Sequence, residues 1–153
     1  NIHPADGTPR GGAEADLWTP NMDFLKPESW PRAPGFSWGV SGTGRTVFVA
    51  GQVGRDPAGD GTTVEGFGPQ TAQAFANIAE VLASAGASAT DVAHMTWYVT
   101  DIKRYREAGQ EISTAYKATF GRHFPSMTMV QVVGLLDPNA LVEIECFAVV
   151  EGG

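Results

Sequence analysis

From Phe36 onward, apolar and polar residues recur with one of two periods, and the switches between periods delimit the elements. The runs FSWGV and RTVFVAGQV have β composition and are separated by SGTG, which predicts a hairpin. RDPAGDG, residues 55–61, is dominated by turn formers and ends the second run. From about Pro69 the spacing becomes helical: Phe75, Ile78, Ala79 and Leu82 share one face, and GASATD closes the helix. VAHMTWYVTD then returns to period two, with His94, Thr96, Tyr98 and Thr100 alternating against Met95, Trp97 and Val99. A second helix is predicted from about Ile102 to Phe120, with Tyr105, Ala108, Ile112, Ala115 and Tyr116 on one side and GRHFP as its stop. Strands over 127–133 and 141–149, joined through the bend at Asp137-Pro138-Asn139, complete the chain. The order predicts an α+β fold, a mixed sheet with two helices on one face.

The last strand raises a chemical question. In LVEIECFAVV, residues 141–150, Val142, Ile144, Cys146, Ala148 and Val150 form an apolar face that belongs under the helices. The other face carries Glu143 and Glu145 beside Leu141, Phe147 and Val149. A carboxylate is costly to bury alone, so that face is expected to meet solvent, a cleft or another subunit. If Met127, Met129 and Val149 share it, the face is too apolar to leave in water, which favours burial by oligomerisation.

Composition narrows the options. The 153 residues suit one domain, and no apolar run approaches the roughly 18 residues that would span a bilayer, so no membrane partner is expected. A formal charge of −7 without a Lys/Arg cluster disfavours nucleic acid. Residues 1–32 are read as an extended N-terminal arm and 33–151 as a single domain; Trp18, Met22, Phe24, Leu25 and Trp30 are too apolar for a free tail, so part of the arm is expected to pack on the body or on a neighbour. The N-terminus lacks a signal-peptide core, and the lone Cys146 suits a reducing compartment, so the expected location is cytoplasmic. Cys146 reads as a small core residue rather than a nucleophile.

Several motifs are absent. Gly42-Thr43-Gly44 lacks the third glycine and following helix of a nucleotide-binding loop. His3, His94 and His123 show no metal-ligand spacing, and His123, at a helix end, reads as a capping or surface group. No metal or cofactor is expected, and no Ser-His-Asp order is present.

VFVAGQVG, AFANIAEVLASAGAS..DV, TWYVTDI..Y, AYKATFGRHFPSMTMVQV and VEIECFAV, in that order, resemble the successive blocks of the Rid family, also called the YjgF or L-PSP endoribonuclease-like family, over about residues 33–150. The resemblance implies a chorismate-mutase-like fold assembled as a homotrimer, with small-molecule clefts between subunits. It also implies hydrolysis of reactive enamines and imines to a keto acid and ammonia. The family's substrate-binding arginine falls on Met127, which cannot make a bidentate carboxylate clamp. The family's cleft tyrosine falls on Phe36 or Ser37, its serine before the GQ pair on Ala50, and its second-helix asparagine on Ser113. The glutamate implied to activate the attacking water is retained as Glu143. The backbone around Gly51 and Thr128 supplies polar contacts on this reading, and Met127, with Met129, makes the pocket more apolar. The expected function is therefore deaminase-like hydrolysis of, or proton transfer on, a small reactive imine, enamine or related tautomerisable metabolite in an intersubunit cleft, with an uncharged or aromatic ligand favoured over a carboxylate. A non-catalytic small-molecule-binding or regulatory trimer of the same fold is the alternative. The acidic surface argues against the ribonuclease activity in the older family name.

Overall fold

A computed structural model of the chain describes residues 21–152. Its strands are β1 (Met22–Leu25), β2 (Gly39–Gly42), β3 (Arg45–Val53), β4 (Val92–Val99), β5 (Ser126–Gln131) and β6 (Val142–Val150). Its helices are α1 (Phe67–Ser84), α2 (Ile102–Glu107) and α3 (Gly109–Phe120). Strands β3, β6, β4 and β5 form a mixed sheet in that order, with β6 antiparallel to both neighbours and β5 parallel to β4. A parallel neighbour needs a crossover, and α2 and α3 supply it. The α+β reading holds, and among the described residues no helix is long and apolar enough to cross a membrane.

The buried cluster lies between this sheet and the helices. Phe75, Ile78 and Leu82 of α1 meet Val49 of β3, Met95, Trp97 and Val99 of β4, and Val142, Ile144, Cys146 and Ala148 of β6. Phe75 is fully enclosed and makes edge-on contacts with Trp97, Tyr116 and Phe120 at centroid distances of 5.6, 5.8 and 5.1 Å. Helix α1 ends in a Schellman arrangement: Gly86, at φ 71°, donates to the Ala83 carbonyl and Ala87 to that of Leu82. The Arg45 guanidinium takes the neighbouring Ala85 carbonyl at 2.7 Å.

Four expectations need correction. The two early strands do not form a hairpin with one another: β2 pairs antiparallel with β1, while β3 pairs with β6. Gly44 lies between β2 and β3 at φ 143°, with the space for a Cβ only 2.1 Å from the Val150 carbonyl oxygen, so the link passes tightly over the end of β6 instead of folding back. The long second helix is two helices broken at Ala108, whose ψ of 10° ends α2; the helix-weakening Gly109 follows and opens α3. His123 is neither capping nor surface: it is 1% exposed, donates through Nε2 to the Val92 carbonyl at 2.7 Å and meets the Phe24 ring edge-on.

The fourth concerns Met127 and Met129. They pair in register with the buried Met95 and Trp97 and pack against the core cluster, so they lie on the helix side of the sheet, not beside Glu143. At the other end of the fold, Met22 of β1 is fully buried and the Asn21 side-chain amide donates to the Val149 carbonyl at 2.9 Å, so this part of the predicted arm packs on the body. Residues 1–20, including His3 and Trp18, lie outside the described residues.

Candidate functional site

The alternation in β6 resolves as read from the sequence: Val142, Ile144, Cys146 and Ala148 are buried, while Glu143, Glu145 and Phe147 face away from the helices. Cross-strand register then decides their company. Glu145 lies opposite Thr96 and Glu143 opposite Tyr98 on β4. The Tyr98 hydroxyl donates to Glu145 Oε1 at 2.6 Å, and this bond to a carboxylate, before any other influence, raises the phenol above its ordinary pKa. Tyr98 therefore stays protonated and acts as a donor, and one oxygen of Glu145 is committed to it.

On the other side of β6, the register of β3 slips between Val49 and Gln52. The irregularity leaves Ala50 and Gly51 exposed and brings Gly51 against Glu143. A Cβ at position 51 would lie 2.6 Å from Glu143 Oε2 and 2.9 Å from both Cδ and Cγ. Glycine is the residue that lets this carboxylate lie flat against the neighbouring backbone.

Past Gly51 the surface hollows into a cavity of about 460 Å³, lined by Gly51, Gln52, Val53, Arg55, Asp56 and Pro57. Buried amides on α1 hold its walls. Asn77, 4% exposed, donates to the Val53 and Arg55 carbonyls at 3.3 and 2.8 Å. Gln70, 2% exposed, donates to the carbonyls of Val64 and Asn139, each at 3.0 Å, and accepts from the Leu141 amide at 2.7 Å. The Thr63 hydroxyl donates to Asp137, and this bond, together with the Asn139 amide, holds the Asp137 carboxyl below its usual range. Side chains buried in the body thus fix the backbone around the cavity.

A polar chain lies further along the same face. Ser126 Oγ donates to the Ala93 carbonyl at 3.0 Å, so it accepts from His94 Nδ1 at 2.8 Å; His94 Nε2 then accepts from the Thr96 hydroxyl at 3.2 Å. Phe48 and Phe147, 72% and 39% exposed, meet edge-on at 5.3 Å beside it. An exposed aromatic pair on a sheet face is a surface suited to burial.

The residues expected to form the site divide into groups. Glu143, Ala50 and Gly51 are adjacent, and Thr128 shares their face, paired with Thr96. Ser37 is tied to the start of β5 through its hydroxyl on the Phe124 carbonyl and its amide on that of Pro125, and Phe36 packs edge-on against Trp38. Ser113 is exposed on α3, and Met127 and Met129 face the core. Cys146 is 1% exposed, and burial pushes its thiol up to about 12, which leaves it protonated at neutral pH. Sequence reasoning missed Tyr98 as the partner of Glu145 and Arg55 as a cavity residue. The first follows from the shared period of β4 and β6; the second was hidden because Arg55 sits in a segment of turn formers.

A family model described as Endoribonuclease L-PSP matches residues 30–150. The chain belongs to the L-PSP, or Rid, family. Its Rid relatives include a bovine protein named 2-iminobutanoate/2-iminopropanoate deaminase, 34% identical over 105 residues, which are 69% of this chain and 73% of the relative. Among solved structures, a Rid-family protein from Yersinia pestis is 32% identical with a TM-score of 0.70, covering 85% of this chain and 99% of the other. A member of the YjgF/YER057c/UK114 family from Mycobacterium tuberculosis is 38% identical with a TM-score of 0.56, covering 76% and 87%. The fold is thereby the chorismate-mutase-like fold of Rid proteins.

Proposed function

We propose that this Rid protein hydrolyses a small reactive imine or enamine, with Glu143 as the acid/base group. The observation that carries the reading is the Glu143 carboxylate, half-buried on the open face of the sheet and lying against the backbone of Gly51, which also lines the cavity. In the reaction, Glu143 accepts a proton from water as its oxygen bonds to the imine carbon, and the carbon–nitrogen double bond shifts its electron pair to nitrogen. Starting from the protonated imine, the resulting carbinolamine takes the proton from Glu143 on nitrogen. It then loses its hydroxyl proton to Glu143 as the carbon–nitrogen bond breaks, leaving a carbonyl, and the departing ammonia carries that proton away as ammonium. Glu143 ends in its starting state, so one carboxylate serves both halves. Glu145, with one oxygen taken by the Tyr98 hydroxyl, adds a second negative charge on the same face, which favours a cationic iminium over a neutral imine. The names of the curated relatives, imine deaminases at about one-third identity, support this class.

The same reading makes the protein a homotrimer whose clefts form between subunits. Its support is the exposed Phe48–Phe147 pair on the face that carries Glu143, together with the dispersal of Phe36, Ser37, Ser113 and Met127 away from Glu143 within one chain. Ligand capture without chemistry is the second reading, favoured by the methionine at position 127, which faces the core and offers no charge. Glu143→Gln separates the two. Ammonia release from freshly generated imines falls by about two orders of magnitude or more if Glu143 moves protons; a variant that hydrolyses like wild type removes the proposed role.

A further inference from the structure

We infer that Tyr98 is a positioning residue for the hydrolysis: by donating its hydroxyl to Glu145 it takes that carboxylate out of proton exchange and leaves Glu143 as the carrier of the travelling proton. The inference rests on the reading of Glu143 as the acid/base group, and it explains why this carboxylate acts and its neighbour does not. In the sequence the two glutamates are alike. They stand two residues apart on one face of β6, roughly 7 Å along the strand, and both are half-buried. Nothing in their own strand tells them apart.

Strand β4 does. Glu143 lies directly opposite Tyr98, and Glu145 lies opposite Thr96. Directly opposed side chains of an antiparallel pair start about 5 Å apart and diagonal ones about 7–8 Å, a gap that a long or aromatic side chain can close. The phenol bypasses its direct neighbour and takes the diagonal one, bonding to Glu145 Oε1 at 2.6 Å. Glu143 sets its Oε2 on the other side, against Gly51 of β3. The bond to Glu145 is the main influence that raises the phenol above its ordinary pKa; burial, the charge of Glu145 and then that of Glu143 add to it. One phenol is thus under the influence of both carboxylates and bonded to one.

That choice decides where a proton can rest. A hydroxyl that donates to a carboxylate favours the charged form of its acceptor, so protonating Glu145 works against this bond. In the hydrolysis a proton leaves water, waits on a carboxylate and returns to the imine nitrogen. A proton lodged on Glu145 would stand roughly 7 Å along the strand from the group that drew it from water, beyond direct transfer to that nitrogen. The other outward polar side chains of β4 are engaged away from the glutamates, since Thr96 donates to His94 and His94 to Ser126. Tyr98 is the β4 side chain that reaches them, and phenylalanine in its place would keep the ring and lose the distinction.

The test is the pH profile of kcat for ammonia release from freshly generated 2-iminobutanoate or benzaldehyde imine, whichever wild type turns over faster. It compares wild type, Tyr98→Phe, Glu145→Gln, the double variant and Glu143→Gln. Wild type should lose activity on the acid side in one step. In Tyr98→Phe the two carboxylates share the first proton, so that step should split in two with a shelf of partial activity between; kcat should drop about 3- to 10-fold and KM should stay within about twofold. Adding Tyr98→Phe to Glu145→Gln should keep the single step and change kcat by less than about twofold, because no second carboxylate remains. A reading that needs no turnover is the ultraviolet titration of the phenol, with Tyr98→Phe as the blank: it should ionise at lower pH in Glu145→Gln than in wild type. An unsplit acid limb in Tyr98→Phe, an equal loss in both backgrounds, or a phenol unmoved by Glu145→Gln overturns the role of Tyr98 and leaves the hydrolytic reading standing. Glu143→Gln that hydrolyses like wild type, or a wild type that hydrolyses neither imine, overturns the hydrolytic reading and this inference with it.

Discussion

Gly51→Ala tests whether the position of Glu143, and not merely its presence, matters. The new Cβ would lie 2.6 Å from Oε2 and 2.9 Å from Cδ and Cγ, where ordinary contact begins at about 3.4 Å. The carboxylate must therefore retreat by roughly 0.8 Å or rotate away. Glu143 is the end of a flexible side chain on a half-exposed face, so this motion costs the fold little, and Tm should fall by only a few degrees, an effect of about 1 kcal/mol. A reacting group misplaced by about 1 Å can lose on the order of 100-fold in rate. The expected result is a large loss of kcat for ammonia release with a modest change in melting temperature. Gly44→Ala is the control in the opposite sense: its Cβ meets the Val150 backbone oxygen at 2.1 Å, at φ 143°, far from Glu143, so it should lower Tm more and kcat less. A Gly51→Ala protein with kcat within about twofold of wild type would refute the claim that Gly51 sets the position of the carboxylate.

Three further outcomes follow from the core. Phe75→Ala empties the centre of the aromatic cluster and should cost about 3–5 kcal/mol, read as a lower urea midpoint at unchanged slope. Burial holds His123 below its ordinary pKa. The unfolded chain then binds the proton first, near pH 6.5, so stability should fall as pH drops below about 6.5, and His123→Gln should flatten that slope in denaturant titrations; an unchanged slope would dismiss His123 as its source. Cys146 should resist iodoacetamide at pH 8 in the native protein and react once denaturant is added; rapid native labelling would contradict its burial.

Much of this was legible in the chain. The two faces of β6 and the apolar face of α1 follow from periods of two and of 3.6, because each of those segments borders the core along its full length. Pairing partners were less accessible. The run FSWGV has β character, but nothing local states that it will pair with residues 22–25 rather than with the strand that follows, since register between strands is a non-local property. Met127 and Met129 were placed on the wrong face for a different reason. Ser126 and Thr128 alternate with them, so the pattern already separated polar from apolar, but their hydrophobicity was set beside the open face of β6 instead of Met95 and Trp97 of β4. The break at Ala108 escaped because a single glycine in a helical pattern is usually tolerated. For the candidate site, Glu143 was visible as a carboxylate in an apolar strand. The cavity lining was not, because Arg55 owes its place to contacts with Asn77 and Thr63 that no local pattern announces.

The loop that rims the cavity is fastened at its base and not at its tip. The Arg55–Thr63 bridge and the Val64 amide on the Gly54 carbonyl close it below, while Asp56 and Asp60 serve only their own turns, through the amides of Ala58 and Thr62. Residues 57–61 can therefore change in number without disturbing the sheet, since loop closure grows costly only slowly with length. A longer tip would wall the cavity higher and a shorter one would open it, so descendants of this chain could retune the size of molecule admitted by insertion or deletion alone, with Glu143 and its neighbours left as they are.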